Sequence, residues 1–228
     1  MIRLDPNKIR LIAFDIDGTI FSSENIISEV YKESIEKFSE LNRIHIEMPS
    51  HEEIMQQIGK PVKTIFKNLL PHLPENHRDK ISDSVLQFLC ERIEKGEGHF
   101  YPKVEETIRS LKEKNYAIAA ASNGRRPYVE TILKKSNVLS FFDDLAILNY
   151  KDLNTKGDIL KYYKKKFGLR GEEILMVGDR ASDRDAALDA ETPFAFCSFG
   201  HATDGEIPDY SVKLETLFDI VDLLPGHI

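Results

Sequence analysis

Cysteine is scarce in this sequence of 228 residues: only Cys90 and Cys197 occur, and not in a paired metal-ligand spacing. That argues against a disulfide scaffold or a cysteine zinc site, and two buried free thiols are expected. Long apolar runs are missing as well. No stretch approaches the ~20 apolar residues of a membrane helix, so the chain is not expected to span a bilayer. The opening residues Met1-Ile2-Arg3-Leu4-Asp5-Pro6 lack the apolar core and small-residue cleavage site of a secretory signal, which makes the cytoplasm the expected compartment. There are no repeats, low-complexity tracts or disordered linkers to divide the chain. Positive charge is in deficit, since 31 Lys and Arg against 38 Asp and Glu leave a net charge of −7. Nucleic acid and anionic membrane surfaces are therefore poor partners. An anionic ligand would have to be met locally by lysine, by backbone N–H groups or by a bound cation.

Hydrophobic residues make up 41% and charged residues 30% of the chain, ordinary proportions for a globular protein with a substantial core. The organising stretch is Leu11-Ile12-Ala13-Phe14-Asp15-Ile16-Asp17-Gly18-Thr19, an apolar run that stops in two carboxylates and a glycine. It is too uniformly apolar for a half-exposed strand, and reads as a buried strand of a parallel sheet covered on both faces. Open parallel sheets place their sites at the carboxyl ends of the strands, where Asp15 and Asp17 emerge. A spacing of two points both side chains the same way until Gly18 turns the chain. Two acids so placed suit phosphoryl or metal chemistry. An Asp-Gly turn without function is the plain alternative.

From residue 22 to residue 98 the pattern is helical. Ile27, Val30, Tyr31, Ile35, Phe38 and Leu41 mark one face of a helix that starts near Ser23 or Ser28. Shorter helices are expected over 52–58 and 62–70, on either side of Gly59-Lys60-Pro61. Ile81, Val85, Phe88, Leu89 and Ile93 define another, ended by Gly96 and Gly98. Strand and helix then alternate. A helix carries Val104, Ile108 and Leu111, a strand over 116–121 ends at Ser122-Asn123-Gly124, and a helix carries Val129, Ile132 and Leu133. A strand at 145–148, a helix at 158–167 and a strand at 173–177 ending in Gly178-Asp179 follow. A short helix with Ala186, Ala187 and Ala190, a strand at 193–197 and a segment over 214–224 close the chain. The expected fold class is α/β: a Rossmann-like parallel sheet over 1–21 and 99–228 with helices on both faces, and an all-α domain over 22–98 inserted into it.

Polar groups thus gather at three strand ends: Asp15 and Asp17, then Ser122 and Asn123, then Asp179 and Asp183. Lys156 stands ahead of the helix before the last of these strands, with Lys151 nearby. In this order the sequence resembles the haloacid dehalogenase-like hydrolase superfamily, whose four motifs match Asp15-x-Asp17-Gly18-Thr19, Ser122, Lys156 and Gly178-Asp179-x-x-x-Asp183. The helical insertion after the first motif is similar to the cap of the phosphoglycolate phosphatase and β-phosphoglucomutase group. The chain departs from related phosphatases at Phe21-Ser22-Ser23, where an acidic residue is frequent, and at Gly157, where a proline often follows the lysine. Both departures bear on the subfamily rather than on the chemistry.

The resemblance implies a Mg²⁺-dependent phosphatase acting on a small soluble phosphorylated metabolite, with residue types that suit the work. Asp15 is the implied nucleophile, forming an aspartyl-phosphate, and Asp17 the acid and base that serves both half-reactions. Mg²⁺ is implied between the Asp15 carboxylate, the Asp17 carbonyl and the Asp179 carboxylate, with Asp183 holding a ligand in place. Ser122, Asn123 and Lys156 are the implied phosphate-binding groups. The plain alternatives are a helix cap for Asp183, a turn role for Ser122 and a solvated surface for Lys156. Gly59 and Lys60 form the candidate specificity loop, with Lys60 presented at the tip of a turn; Arg125 and Arg126 are left without a role. Two rival functions remain, a sugar-phosphate mutase and an inactive binding protein with the same fold. Free phosphate as product separates the first, and loss of aryl phosphatase activity in chelator excludes the second.

Overall fold

Residues Leu11–Phe14 form strand β1, and all four side chains are fully buried. Their alternation divides them between two cores: Ile12 and Phe14 pack into one, Leu11 and Ala13 into the other. A strand whose both faces are apolar must be covered on both sides. In the computed structural model, which describes residues 1–148 and 153–227, β1 accordingly lies in the middle of the sheet.

The chain continues through β2 (Phe21–Ser22), α1 (Glu24–Asn42), α2 (His51–Met55), α3 (Val62–Leu69), α4 (Glu75–Glu94), β3 (His99–Phe100) and α5 (Val104–Glu113). Then follow β4 (Ala117–Ser122), α6 (Arg126–Lys135), β5 (Asp144–Ile147), α7 (Lys156–Phe167), β6 (Ile174–Gly178), α8 (Ala181–Asp189), β7 (Phe194–Cys197), β8 (Val212–Leu214) and α9 (Asp219–Leu223). Six strands pair in the order β5-β4-β1-β6-β7-β8, every pair parallel. From β1 the chain winds outward to β4 and β5, then returns to wind the other way through β6, β7 and β8. Such a reversal opens a crevice at the carboxyl ends of the central strands. The fold is α/β and Rossmann-like, as expected.

Helices α1 to α4 all fall between β2 and β3, which pair antiparallel with Phe21 opposite Phe100 and Ser22 opposite His99. Two chains therefore connect the helical segment to the sheet side by side. Its interior is apolar, with Ile27, Tyr31, Ile35, Phe66, Ile81, Val85 and Ile93 buried. Among the described residues no helix is long and apolar enough to cross a membrane.

Several expectations need correction. Leu41 is 76% exposed, because apolar spacing tells which face of α1 packs and not how far the facing layer extends. Cys90 is half-buried, on the flank of the α4 stripe, while Cys197 is buried. The edge strand β8 was not anticipated. Lys156 is the first residue of α7 rather than a residue ahead of it, with Thr155 and Asp158 forming a capping box around it. Lys151 lies outside the described residues.

Candidate active site

Three strand ends and one helix start converge at the crevice. Asp15 follows β1 and donates its backbone N–H to the Val177 carbonyl at 2.8 Å, which fixes its position against β6. Asp179 follows β6, and Asp183 lies in the first turn of α8. Carboxylate oxygens of Asp15, Asp179 and Asp183 come within 4.8 Å of one another, all three residues buried. Lys156 reaches in from α7, its Nζ 2.9 Å from Asp15 Oδ1 and 2.6 Å from Asp183 Oδ1. It is 3% exposed, so the solvated-surface alternative fails.

Among the described residues three carboxyl groups face one ammonium in this cluster, so its charge does not balance. Burial opposes the charge of Lys156, but Asp15 and Asp183 outweigh it and hold the lysine pKa above its usual value. Burial pushes the Asp183 carboxyl up to about 6, against the pull of Lys156. Asp183 Oδ2 also accepts the backbone N–H groups of Asp179 at 3.1 Å and Arg180 at 2.9 Å, capping α8 as well as holding the cluster. Asp179 is pushed well above the carboxylate range by burial, then by Asp183 and Asp15. Its Oδ2 accepts the His201 N–H at 2.6 Å, while its Oδ1 is buried without a partner among the described residues.

An orphaned oxygen among excess carboxylates is the setting a hard cation fits, because Mg²⁺ takes oxygen ligands and supplies the missing positive charge. Asp15 and Asp179 offer oxygens, and the Asp17 carbonyl accepts no backbone hydrogen bond among the described residues. Gly18 keeps this geometry open. Its φ is +89°, and a Cβ there would lie 2.1 Å from Asp179 Oδ2.

Asp17 sits apart from that cluster and is gripped differently. Its Oδ1 accepts the Ser23 N–H at 3.1 Å, and its Oδ2 accepts the hydroxyls of Ser23 at 2.8 Å and Tyr128 at 3.0 Å. Burial and Asp17 push the Tyr128 hydroxyl well up, which keeps it a donor. Ser23 and Tyr128 escaped the sequence reading. Ser23 had a signal, the departure at Phe21-Ser22-Ser23; Tyr128 had none, since only the fold brings α6 against Asp17.

Ser122 and Asn123 lie where expected, at the end of β4 and buried. The Ser122 hydroxyl accepts the Gly124 N–H at 3.1 Å, the turn contact foreseen as its alternative role. Asn123 donates through Nδ2 to the Gly59 carbonyl at 2.7 Å, and its Oδ1 is buried without a partner among the described residues. Gly59 has φ +91°, and its turn closes onto the sheet side: Arg180 donates to the Ile58 carbonyl at 2.7 Å and Ser182 to the Gly59 carbonyl at 3.3 Å. A cavity of about 100 Å³ lies beneath this turn, bounded by Asp15, Asp17, Ser122, Asn123 and Lys156 on the sheet side. Lys60 lines it too, but its ammonium donates to Gln57 Oε1 at 3.0 Å. Arg125 bridges to Asp83 of α4 at 2.7 Å, and Arg126 to Glu130 at 2.8 Å.

Known proteins are similar to this chain in sequence and in fold. The haloacid dehalogenase-like hydrolase family matches residues 9–191. The phosphoglycolate phosphatase of Aquifex aeolicus strain VF5 is 24% identical over 227 residues, covering 96% of this chain and 99% of that one. The pyrophosphatase PpaX of Bacillus cereus strain AH820 is 26% identical over 225 residues, covering 95% and 97%. A predicted phosphoglycolate phosphatase from Haemophilus somnus 129PT has the same fold, with a TM-score of 0.83 at 20% identity over 96% of this chain and 99% of that one. CbbY from Rhodobacter sphaeroides, in complex with phosphate, superposes with a TM-score of 0.77 at 18% identity, over 93% and 96%. The chain is an enzyme that belongs to the haloacid dehalogenase-like hydrolase family.

Proposed function

We propose that this chain is a Mg²⁺-dependent phosphatase that hydrolyses a small soluble phosphate monoester in the cytoplasm through an aspartyl-phosphate on Asp15. The observation that carries the reading is the buried meeting of Asp15, Lys156, Asp179 and Asp183, with Asp15 and Lys156 lining the cavity under the Gly59 turn. Lys156 holds Asp15 by Oδ1 and leaves the other oxygen to attack phosphorus. As the new bond to phosphorus forms, the bond to the leaving oxygen breaks and Asp17 gives that oxygen its proton. Water then attacks the phosphorus of the aspartyl-phosphate, Asp17 takes the water proton, and the Asp15 carboxylate is released. Ser122, Asn123 and Lys156 hold the phosphoryl oxygens throughout. Ser23 and Tyr128 fix the Asp17 carboxyl between its two tasks. Mg²⁺ held by Asp15, the Asp17 carbonyl and Asp179, with Asp183 behind them, would offset the negative charge that nucleophile and phosphate share.

Residues 22–98 form the cap in this reading and 1–21 with 99–228 the catalytic core, with the paired strands β2 and β3 as the hinge. Gly59 and Lys60 are the part of the cap that closes over substrate, which excludes bulk water during turnover.

The test is hydrolysis of p-nitrophenyl phosphate, expected to need Mg²⁺ and to stop in excess chelator. Binding should also be visible as stability. At a Mg²⁺ concentration a hundredfold above Kd the Tm is expected to rise by roughly 5–10 °C. Asp179→Asn should abolish that rise. The sign of its metal-free effect follows from linkage. A carboxyl whose folded pKa is raised contributes stability in its protonated form, lost as pH climbs from the ordinary range through the raised value. At pH 7 the metal-free Asp179→Asn variant is therefore expected to melt no lower than the parent. An unchanged Mg²⁺ response in that variant would refute the metal assignment.

A further inference from the structure

The cavity continues past the phosphoryl site into the helical segment, and there its walls change character. Ile27 and Tyr31 of α1, Ile65 and Phe66 of α3, and Val85 and Leu89 of α4 form them, all buried. Tyr31 and Phe66 stack with ring centroids 5.4 Å apart and planes 5° from parallel. Among the described residues the Tyr31 hydroxyl has no hydrogen-bond partner, and Ser82 of α4 is the other hydroxyl on this wall, so the wall offers two hydroxyls in a surface that is otherwise mostly hydrocarbon.

Among the described residues the cations that line the cavity, Lys60, Arg125 and Lys156, each have a partner already. Lys60 donates to Gln57, which also accepts Asn68 Nδ2 at 2.7 Å and lines a separate groove with His45, Pro49 and His72. Arg125 is paired with Asp83, and Lys156 with Asp15 and Asp183. A carboxylate or second phosphate placed against Ile65 and Val85 would lose its water and meet only the hydroxyls of Tyr31 and Ser82, with no cation to offset its charge among the described residues. Yet glycolate and phosphate, the leaving groups that the relatives' names imply, are both anions.

We propose that the substrate of this chain is a phosphate monoester whose leaving group is a short, mainly apolar and uncharged body, with hydrogen-bonding groups only where Tyr31 and Ser82 can meet them. Size agrees with the walls: the cavity of about 100 Å³, which takes in the phosphoryl site beside Asp15 and Ser122, is smaller than the ~150 Å³ apolar cavity that takes up benzene, which limits the leaving group to a few carbons. This inference rests on the phosphatase reading, because it takes the phosphoryl group to sit at Asp15.

Alkylphosphonates test it without turnover. Calorimetry with the Mg²⁺-loaded protein compares methyl-, ethyl-, propyl- and butylphosphonate with phosphonoacetate, a carboxylate of similar size. Affinity is expected to rise about fourfold per methylene until the cavity fills. Phosphonoacetate is expected to bind more weakly than propylphosphonate by roughly tenfold or more. Leu86→Phe, at a half-buried wall position, should shorten the chain length at which affinity levels off. A flat series, or tightest binding of phosphonoacetate lost on Lys60→Ala, overturns the proposal and assigns the cavity to an anionic leaving group. A rising series without turnover of any phosphate monoester sinks the phosphatase reading and leaves the apolar pocket standing.

Discussion

Asp15→Asn is expected to lower kcat on an aryl phosphate by on the order of 10⁴-fold or more, with the fold intact. The amide nearly matches the carboxylate in shape and still offers Lys156 an acceptor where Asp15 Oδ1 stood at 2.9 Å. What it lacks is the attacking charge, and no neighbour can take over. Asp183 has Oδ1 bound to Lys156 and Oδ2 bound to two backbone N–H groups, and Asp17 is held by Ser23 and Tyr128. Stability should change little, since the variant removes one of three crowded carboxylates while Lys156 keeps Asp183 at 2.6 Å. The measurement is kcat alongside a urea melt, with mass spectrometry to exclude deamidation back to aspartate. If the Asp15→Asn protein, verified to be free of deamidation, retained more than a few per cent of activity, another group would have to attack phosphorus.

The convergence of Asp15, Asp179 and Asp183 was legible because parallel sheets obey a strict geometry. Each acid follows an apolar strand, and strands that run the same way deliver their carboxyl ends to one edge. The reading of β1 as doubly covered was legible for a related reason, as Leu11-Ile12-Ala13-Phe14 has no polar side to show solvent. Short elements were harder. β2 and β3 have two residues each and β8 has three, too few to display a period of two, so the paired connection to the helical segment and the sixth strand went unseen.

Contacts across the chain were the other blind spot. Tyr128 to Asp17 spans 111 positions and His201 to Asp179 spans 22, and no local pattern encodes either. The Gly59 turn was placed correctly between two helices, but the direction of the Lys60 ammonium was not. It follows from Gln57, three residues earlier, which accepts it. Sequence spacing tells which residues reach a site, and competing acceptors decide which way a long flexible side chain points.

Lys156→Met is expected to destabilise the metal-free protein by about 3–5 kcal/mol at neutral pH, the cost of removing one partner from a buried ion pair. Methionine keeps most of the stem that fills the start of α7, so packing changes little and the missing ammonium dominates. Asp15 and Asp183, 3% and 0% exposed, are left facing each other and Asp179 with no cation among them. The pH dependence identifies this cause. In the parent the Lys156 pKa is raised, so its contribution is complete at neutral pH and is lost only as pH rises through the folded value. In the variant Asp183, already pushed up to about 6, loses the pull of Lys156 and moves higher. Protonation then relieves the repulsion, so the stability gap between variant and parent should narrow as pH falls from 8 toward 5. Urea melts in chelator across that range measure it. A gap that stays constant with pH, or that is below about 1 kcal/mol throughout, would mean that Lys156 does not hold the carboxylate cluster together.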